Sequence, residues 1–105
     1  MNSKQTGTLK VLADALLTDK ELVINPNDGF DLGLMMTETP VKLILNNNRE
    51  QILITKEGVL IQKNDCTLGT VIIGSRLVEK LENSTALYLH IEEQDEIPKL
   101  LINLK

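Results

Sequence analysis

The segment at 8–17 places its apolar residues at helical spacing, with offsets of 0, 3, 4, 7 and 8 along the chain. Residues that recur at these offsets line one face of an α-helix. Thr8 precedes the first of them, and its hydroxyl can cap a helix N-terminus. The pattern therefore predicts an amphipathic helix, with a buried stripe formed by Leu9, Leu12, Ala13, Leu16 and Leu17.

The segment at 95–105 repeats this spacing, with apolar residues at offsets of 0, 3, 4 and 7. Asp95 is the predicted N-cap, and Pro98 falls in the first turn, where its missing N–H costs little. We predict a second amphipathic helix that packs inward through Ile97, Leu100, Leu101 and Leu104. A further helix is predicted from Ser75, with apolar positions Leu77, Val78 and Leu81.

The middle of the chain has short apolar runs separated by turn residues, which is typical of strands. The turns are predicted at Asn46-Asn47-Asn48 and at Lys56-Glu57-Gly58, where Gly58 suits the positive φ of a three-residue hairpin loop. We predict a three-strand antiparallel meander at 41–45, 51–55 and 59–62. A short strand at 21–25 precedes it, and two strands at 70–73 and 87–91 follow it.

The resulting fold class is α+β, a mostly antiparallel sheet with helices packed on one face. Residues 1–7 are polar and are expected to be a flexible N-terminal segment, while 8–105 form a single domain. In the last strand, Tyr88 and His90 alternate with apolar residues and should form a polar sheet surface.

A second apolar stripe in the meander raises the question of a binding site. Ile44, Leu53 and Leu60 fall on the face opposite Val41, Leu43 and Leu45, and a sheet face open to water should be more polar. Three covers are possible: the segment at 30–36, a partner subunit or an apolar ligand. We take Ile44, Leu53, Leu60, Met35 and Met36 as the candidate ligand-binding residues.

Composition excludes several classes of function. The formal net charge is −4 and aromatic residues make up 2% of the chain, so nucleic-acid binding is not expected. A single cysteine fits a reducing compartment, and no apolar run is long enough for a membrane span. With no secretory pattern at the N-terminus, the expected location is the cytoplasm.

Residue chemistry gives no catalytic or metal site. Cys66 and His90 are the only cysteine and histidine, and neither has a local signature of nucleophilic catalysis. A zinc centre requires three or four ligands, and no glycine-rich phosphate loop is present. We therefore predict no catalytic residue, no metal and no cofactor.

The meander and the elements after it resemble the sterol-carrier-protein-like fold, nearest its variant at the C-terminus of alkyl sulfatases. The resemblance covers about two-thirds of the chain and rests on VKLILNNNREQILITKEGVLI with Glu50, on TVIIGSRLVEKL and on ALYLHIEEQDEIPKLLINL. It implies a non-catalytic domain that holds lipid-like or alkyl ligands in an apolar cavity, or that serves as an accessory module. The alternative is a small protein–protein interaction module, or a homodimer, that has no small-molecule ligand.

Overall fold

Strands make up most of the molecule, and in the computed structural model seven of them close into a barrel. The structure describes residues 4–47, 49, 51–82, 84–93 and 96–105. The strands are β1 (Lys4–Gln5), β2 (Leu9–Asp14), β3 (Glu21–Ile24), β4 (Glu38–Asn46), β5 (Ile52–Gln62), β6 (Thr70–Gly74), β7 (Ala86–Glu92) and β8 (Lys99–Leu104). Two short helices, α1 (Pro26–Asp31) and α2 (Ser75–Val78), lie between them.

The barrel is closed by a mixture of parallel and antiparallel pairs. Its strands follow the order β7, β2, β6, β3, β5, β4 and β8, and β8 pairs again with β7. The pairs β2–β6, β3–β5 and β4–β8 are parallel, and β1 is added to β7 as a short antiparallel strand. Closure removes the unpaired edges that an open sheet would expose.

The barrel interior is packed with aliphatic side chains. Alternate residues point inward, as in β8, where Leu100, Ile102 and Leu104 are buried while the residues between them are half-buried. A barrel of about eight strands is just wide enough for side chains to fill it. The fully buried side chains of this interior include Leu9, Leu22, Ile24, Leu45, Leu60, Ile73, Leu87, Leu89, Ile91 and Leu100.

The two helices close opposite ends of the barrel. α2 follows β6 at the end where β3 begins, and its Leu77 joins the interior cluster. α1 follows β3 at the other end, capped by the Asn25 side chain, which accepts a hydrogen bond from the Asn27 N–H. Leu32 and Leu34, which follow α1, are buried against the same cluster.

The predicted α+β class, with helices packed on one face of a sheet, is wrong. The segment expected to be the first helix forms β2, which pairs with β6 and β7. Leu9 is buried there, but Leu16 is 92% exposed, so no helical stripe forms. The last predicted helix is β8, where strand alternation buries Leu100, Ile102 and Leu104; its proposed cap, Asp95, lies outside the described residues.

The predicted turn at Gly58 is also wrong. β5 continues without a break from Ile52 to Gln62. Gly58 lies within this strand, pairs with Val41 of β4 and does not have a positive φ. A Cβ at Gly58 would lie 2.5 Å from both Leu43 Cδ1 and the Lys20 carbonyl oxygen. Glycine is therefore needed for a close approach of the 15–20 loop, because a side chain would occupy the same space.

Several other predictions are confirmed. Strands are present at 21–24, 70–74 and 86–92, and a short helix begins at Ser75, although Gly74 is its N-cap. The turn after β4 forms through Asn47, whose Oδ1 accepts hydrogen bonds from the N–H groups of Arg49 and Gln51. Asn48 of that turn and Glu50 of the compared motif lie outside the described residues.

Candidate functional site

The outer surface of β4, β8 and β7 is a sheet face. Among the described residues, no helix or loop packs on it to form a buried cluster. Two rows of side chains cross it in register. One row runs from Ile44 through Leu101 to His90, and the next runs from Asn46 through Asn103 to Tyr88. We call these six residues the open face.

A shallow hollow of about 410 Å³ lies on the open face. All six residues line it, and Gln5 and Ile52 contribute at its margins. Ile44 and Leu101 are half-buried at its centre, while Ile52 is 64% exposed. The centre of the face is therefore apolar, and hydrogen-bonding side chains surround it.

A pair of asparagines lies on this face between the two parallel strands. Asn46 Nδ2 donates a hydrogen bond to Asn103 Oδ1 at 3.3 Å. Asn46 is only 8% exposed, and its Oδ1 has no hydrogen-bond partner among the described residues. A buried acceptor without a partner costs about 1–3 kcal/mol, so a donor brought to this position would stabilise the structure.

Charged and aromatic groups border the open face. In the next row, Lys42, Lys99 and Glu92 are in register across the same three strands. On the other side, the Lys105 ammonium lies 5.4 Å from the centre of the Tyr88 ring, within reach of a cation–π interaction. The apolar centre thus has a polar and charged rim.

The structure separates the five residues that the sequence indicated as a ligand site. Ile44 lies on the open face, and Leu53 is 40% exposed on β5. Leu60 is fully buried inside the barrel, because it shares a face with Thr39 and Leu43 and not with Ile44. Met35 and Met36 are 86% and 65% exposed in the connection after α1.

A second hollow lies at the end of the barrel closed by α2. One part, of about 570 Å³, lies between the 15–20 loop and the start of α2. An adjoining part of about 340 Å³ shares Asp19 and Arg76 with it. We call both parts the end groove; its polar lining consists of Thr18, Asp19, Lys20, Lys56, Ser75, Arg76, Glu79 and Lys80.

One ion pair is formed in the end groove. Lys56 Nζ lies 2.6 Å from Asp19 Oδ2, and both side chains are partly exposed. The hydrogen bond from Lys56 lowers the pKa of Asp19 below its ordinary value, and the charge of Lys56 acts in the same direction. Sequence reasoning missed this groove, since its cationic residues come from three separate parts of the chain.

Cys66 and His90 lie in different environments. The Cys66 thiol is buried with Val23 and Ile61, and its Sγ lies 3.5 Å from the Thr70 carbonyl oxygen. Burial raises the pKa of the thiol, as do the nearby Asp28 and Asp65 carboxylates, which keeps it protonated. His90 instead lines the hollow on the open face, and no group of three metal-binding side chains occurs among the described residues.

The comparisons with protein-family models, with curated proteins and with solved structures found no match to this chain. They give no support to the sterol-carrier resemblance, whose implied α+β fold the barrel contradicts. Within the described part of the chain, no helix has the length and apolar character needed to cross a membrane.

Proposed function

We propose that this protein is a non-catalytic interaction module that binds a short polypeptide segment of a partner protein on its open face. The observation that carries the proposal is the arrangement of that face, where Ile44 and Leu101 form an apolar centre within a polar rim. Protein interfaces have this anatomy, an apolar core surrounded by hydrogen-bonding groups.

The packing of the barrel favours this function over that of an apolar carrier. A carrier needs an internal cavity, but interior positions such as Leu60 and Leu89 belong to one continuous aliphatic cluster. A lipid-like ligand would have to displace these side chains, which pack at the density of a protein core. The outer surface can bind a partner without repacking of the interior.

The size and chemistry of the open face fit a peptide segment better than a second copy of the chain. Three strands about 4.8 Å apart and two rows of side chains span a few hundred Å², whereas a stable interface takes about 800 Å² from each partner. A peptide offers apolar side chains for Ile44 and Leu101. It also offers backbone N–H groups, one of which can bond Asn46 Oδ1 once that amide turns toward the hollow.

The test is selection of binders from a displayed library of random peptides, followed by measurement of their affinity for three proteins. We expect selected peptides to bind the wild type and to lose at least about tenfold in affinity with Ile44→Asp, because an unpaired carboxylate is costly in an apolar contact. Leu68→Asp is the matched control, since Leu68 is 58% exposed on a loop away from this face.

Other occupants give different results in the same experiment. If sedimentation shows that the wild type is a dimer and that Ile44→Asp is a monomer, the peptide proposal is contradicted. A long-chain alkyl ligand that raises the melting temperature would support the carrier function instead. Peptides that bind Ile44→Asp as well as the wild type would exclude the open face as the binding surface.

The same proposal includes a cytoplasmic location. It is supported by Cys66, a buried free thiol that has no disulfide partner in this chain. Reducing compartments maintain such thiols.

A further inference from the structure

We propose that the end groove is a binding site for a small phosphate-bearing anion. This site is separate from the open face, so this proposal does not depend on the interaction proposed above. Neither the order of residues nor a sequence motif marks it, because the groove forms only when β5, the 15–20 loop and α2 come together.

The charge of the end groove is opposite to that of the whole chain. Four cationic side chains line it, namely Lys20, Lys56, Arg76 and Lys80, against two carboxylates, Asp19 and Glu79. The groove therefore carries a local charge of +2 on a chain with a formal net charge of −4. A concave surface that concentrates one sign of charge raises the local concentration of ligands of the opposite sign.

Most of this positive charge is not used inside the protein. Lys56 is paired with Asp19, but the side chains of Arg76, Lys80 and Lys20 make no hydrogen bond or ion pair within the described residues. The three are exposed around the hollow. Unpaired cations at a concave surface can give their hydrogen bonds to an anion without breaking an existing contact.

The lining favours phosphate over a planar carboxylate. The Arg76 guanidinium can bind two oxygens of either anion at once, so the preference comes from the other donors. Hydroxyl groups of Ser75 and Thr18 lie in the same lining, and they can donate to a tetrahedral group from further directions. The larger part of the groove, at about 570 Å³, has the volume of a small-molecule site.

Asp19 acts against the ligand in this arrangement. Its carboxylate occupies Lys56 at 2.6 Å, so it competes with an incoming anion for that ammonium. Removing the carboxylate charge frees Lys56 and makes the local charge more positive. Replacing Asp19 by an uncharged residue should therefore tighten anion binding, whereas replacing Arg76 by an uncharged residue should weaken it. A merely structural role of these side chains would not produce these opposite effects.

The experiment is titration of the wild type with inorganic pyrophosphate in a calorimeter at low ionic strength. We expect saturable binding of one pyrophosphate per chain that weakens as salt is added. Arg76→Gln should weaken it by about tenfold or more, since a charge-assisted hydrogen bond is lost. Asp19→Asn should bind more tightly than the wild type, while citrate should bind the wild type more weakly than pyrophosphate.

Lys10→Gln is the matched control, because Lys10 is an exposed cation on β2 that does not line the end groove. It changes the net charge by the same amount as Arg76→Gln and should leave pyrophosphate binding nearly unchanged. Equal losses in the two variants, a preference for citrate, or the absence of saturable binding would each overturn the proposal. Thermal unfolding of every variant verifies that it is folded.

Discussion

The outer surface of the barrel has two apolar regions that differ in how far they are covered by other parts of the chain. On β3, β5 and β6, the residues Val23, Ile61 and Ile72 lie in one row, and Cys66 covers them from the loop after β5. On β4 and β8, Ile44 and Leu101 form a similar row, but they remain half-buried. We call the first region the covered face, in contrast to the open face.

The covered face is held closed by two side chains from the start of α1. Asn25 Nδ2 donates to the Cys66 carbonyl oxygen at 2.8 Å, and Asp28 Oδ2 accepts from the Gly69 N–H at 2.9 Å. Both bonds join residues 41 positions apart in the chain. The protein thus has the means to cover an outer apolar row, and leaving the open face uncovered is consistent with a binding role.

Thiol reactivity gives the largest expected difference between the two faces. Cys66 should react with a thiol reagent at least about a thousandfold more slowly in the native protein than in denaturant, because reaction requires opening of the covering loop. In a Cys66→Ala background, Leu101→Cys should react quickly on the open face. Stopped-flow absorbance measures both rates, and rapid native modification of Cys66 would mean that the covered face opens readily.

A pair of isoleucine truncations compares the faces in free energy. Ile61→Ala should lower the free energy of unfolding by about 2–4 kcal/mol, as for a buried isoleucine, which is 9% exposed here. Ile44→Ala should cost less than half as much, since its side chain is only half-buried. Urea denaturation gives both values, and equal losses would remove the distinction between the faces.

Gly58 tests the contact between β5 and the loop that precedes β3. Gly58→Ala should destabilise the protein by about 1–3 kcal/mol, because the new methyl group would overlap Leu43 and the Lys20 carbonyl. Gly7→Ala is the control, since nothing lies within 4 Å of a Cβ at Gly7. A neutral Gly58→Ala would show that the 15–20 loop can move away from β5 without cost.

The ion pair at the end groove gives the smallest expected effect. Because the folded-state pKa of Asp19 is lowered from 3.8, the pair stabilises the protein at neutral pH, and this contribution is lost as the pH falls below that value. Asp19→Asn should therefore be less stable than the wild type near neutral pH, with the difference disappearing in acid. A difference in urea midpoint that persists unchanged below about pH 2 would contradict the linkage.

The sequence alone determined those strands whose alternation or β-branched residues did not also fit a helical pattern. In β7, Leu87, Leu89 and Ile91 alternate with half-buried residues, and the prediction is confirmed. The Asn47 turn was also predictable, because its side chain bonds backbone N–H groups only two and four residues away. Such signals are local, so they survive in the sequence.

The two ends of the chain were not predictable in this way. In β8 the run Leu100-Leu101-Ile102 fits both a helical stripe and strand alternation, and the choice depends on pairing with β4 and β7. The same holds for β2, whose partner β6 lies 60 positions further along the chain. Long-range hydrogen bonds decided between two periods that the sequence left equal.

The candidate sites depended even more on tertiary structure. The sequence identified Ile44, but it placed Leu60 on the same face, since it assumed a turn at Gly58 where β5 continues. The end groove left no sequence signal, because Lys20, Lys56 and Arg76 are 20 to 56 positions apart from one another. By itself, the sequence determined a small acidic domain that is rich in strands and has more apolar positions than one face of a sheet can bury. Barrel closure sets which residues become neighbours, so only the tertiary structure decided where those apolar positions and the cationic groups lie.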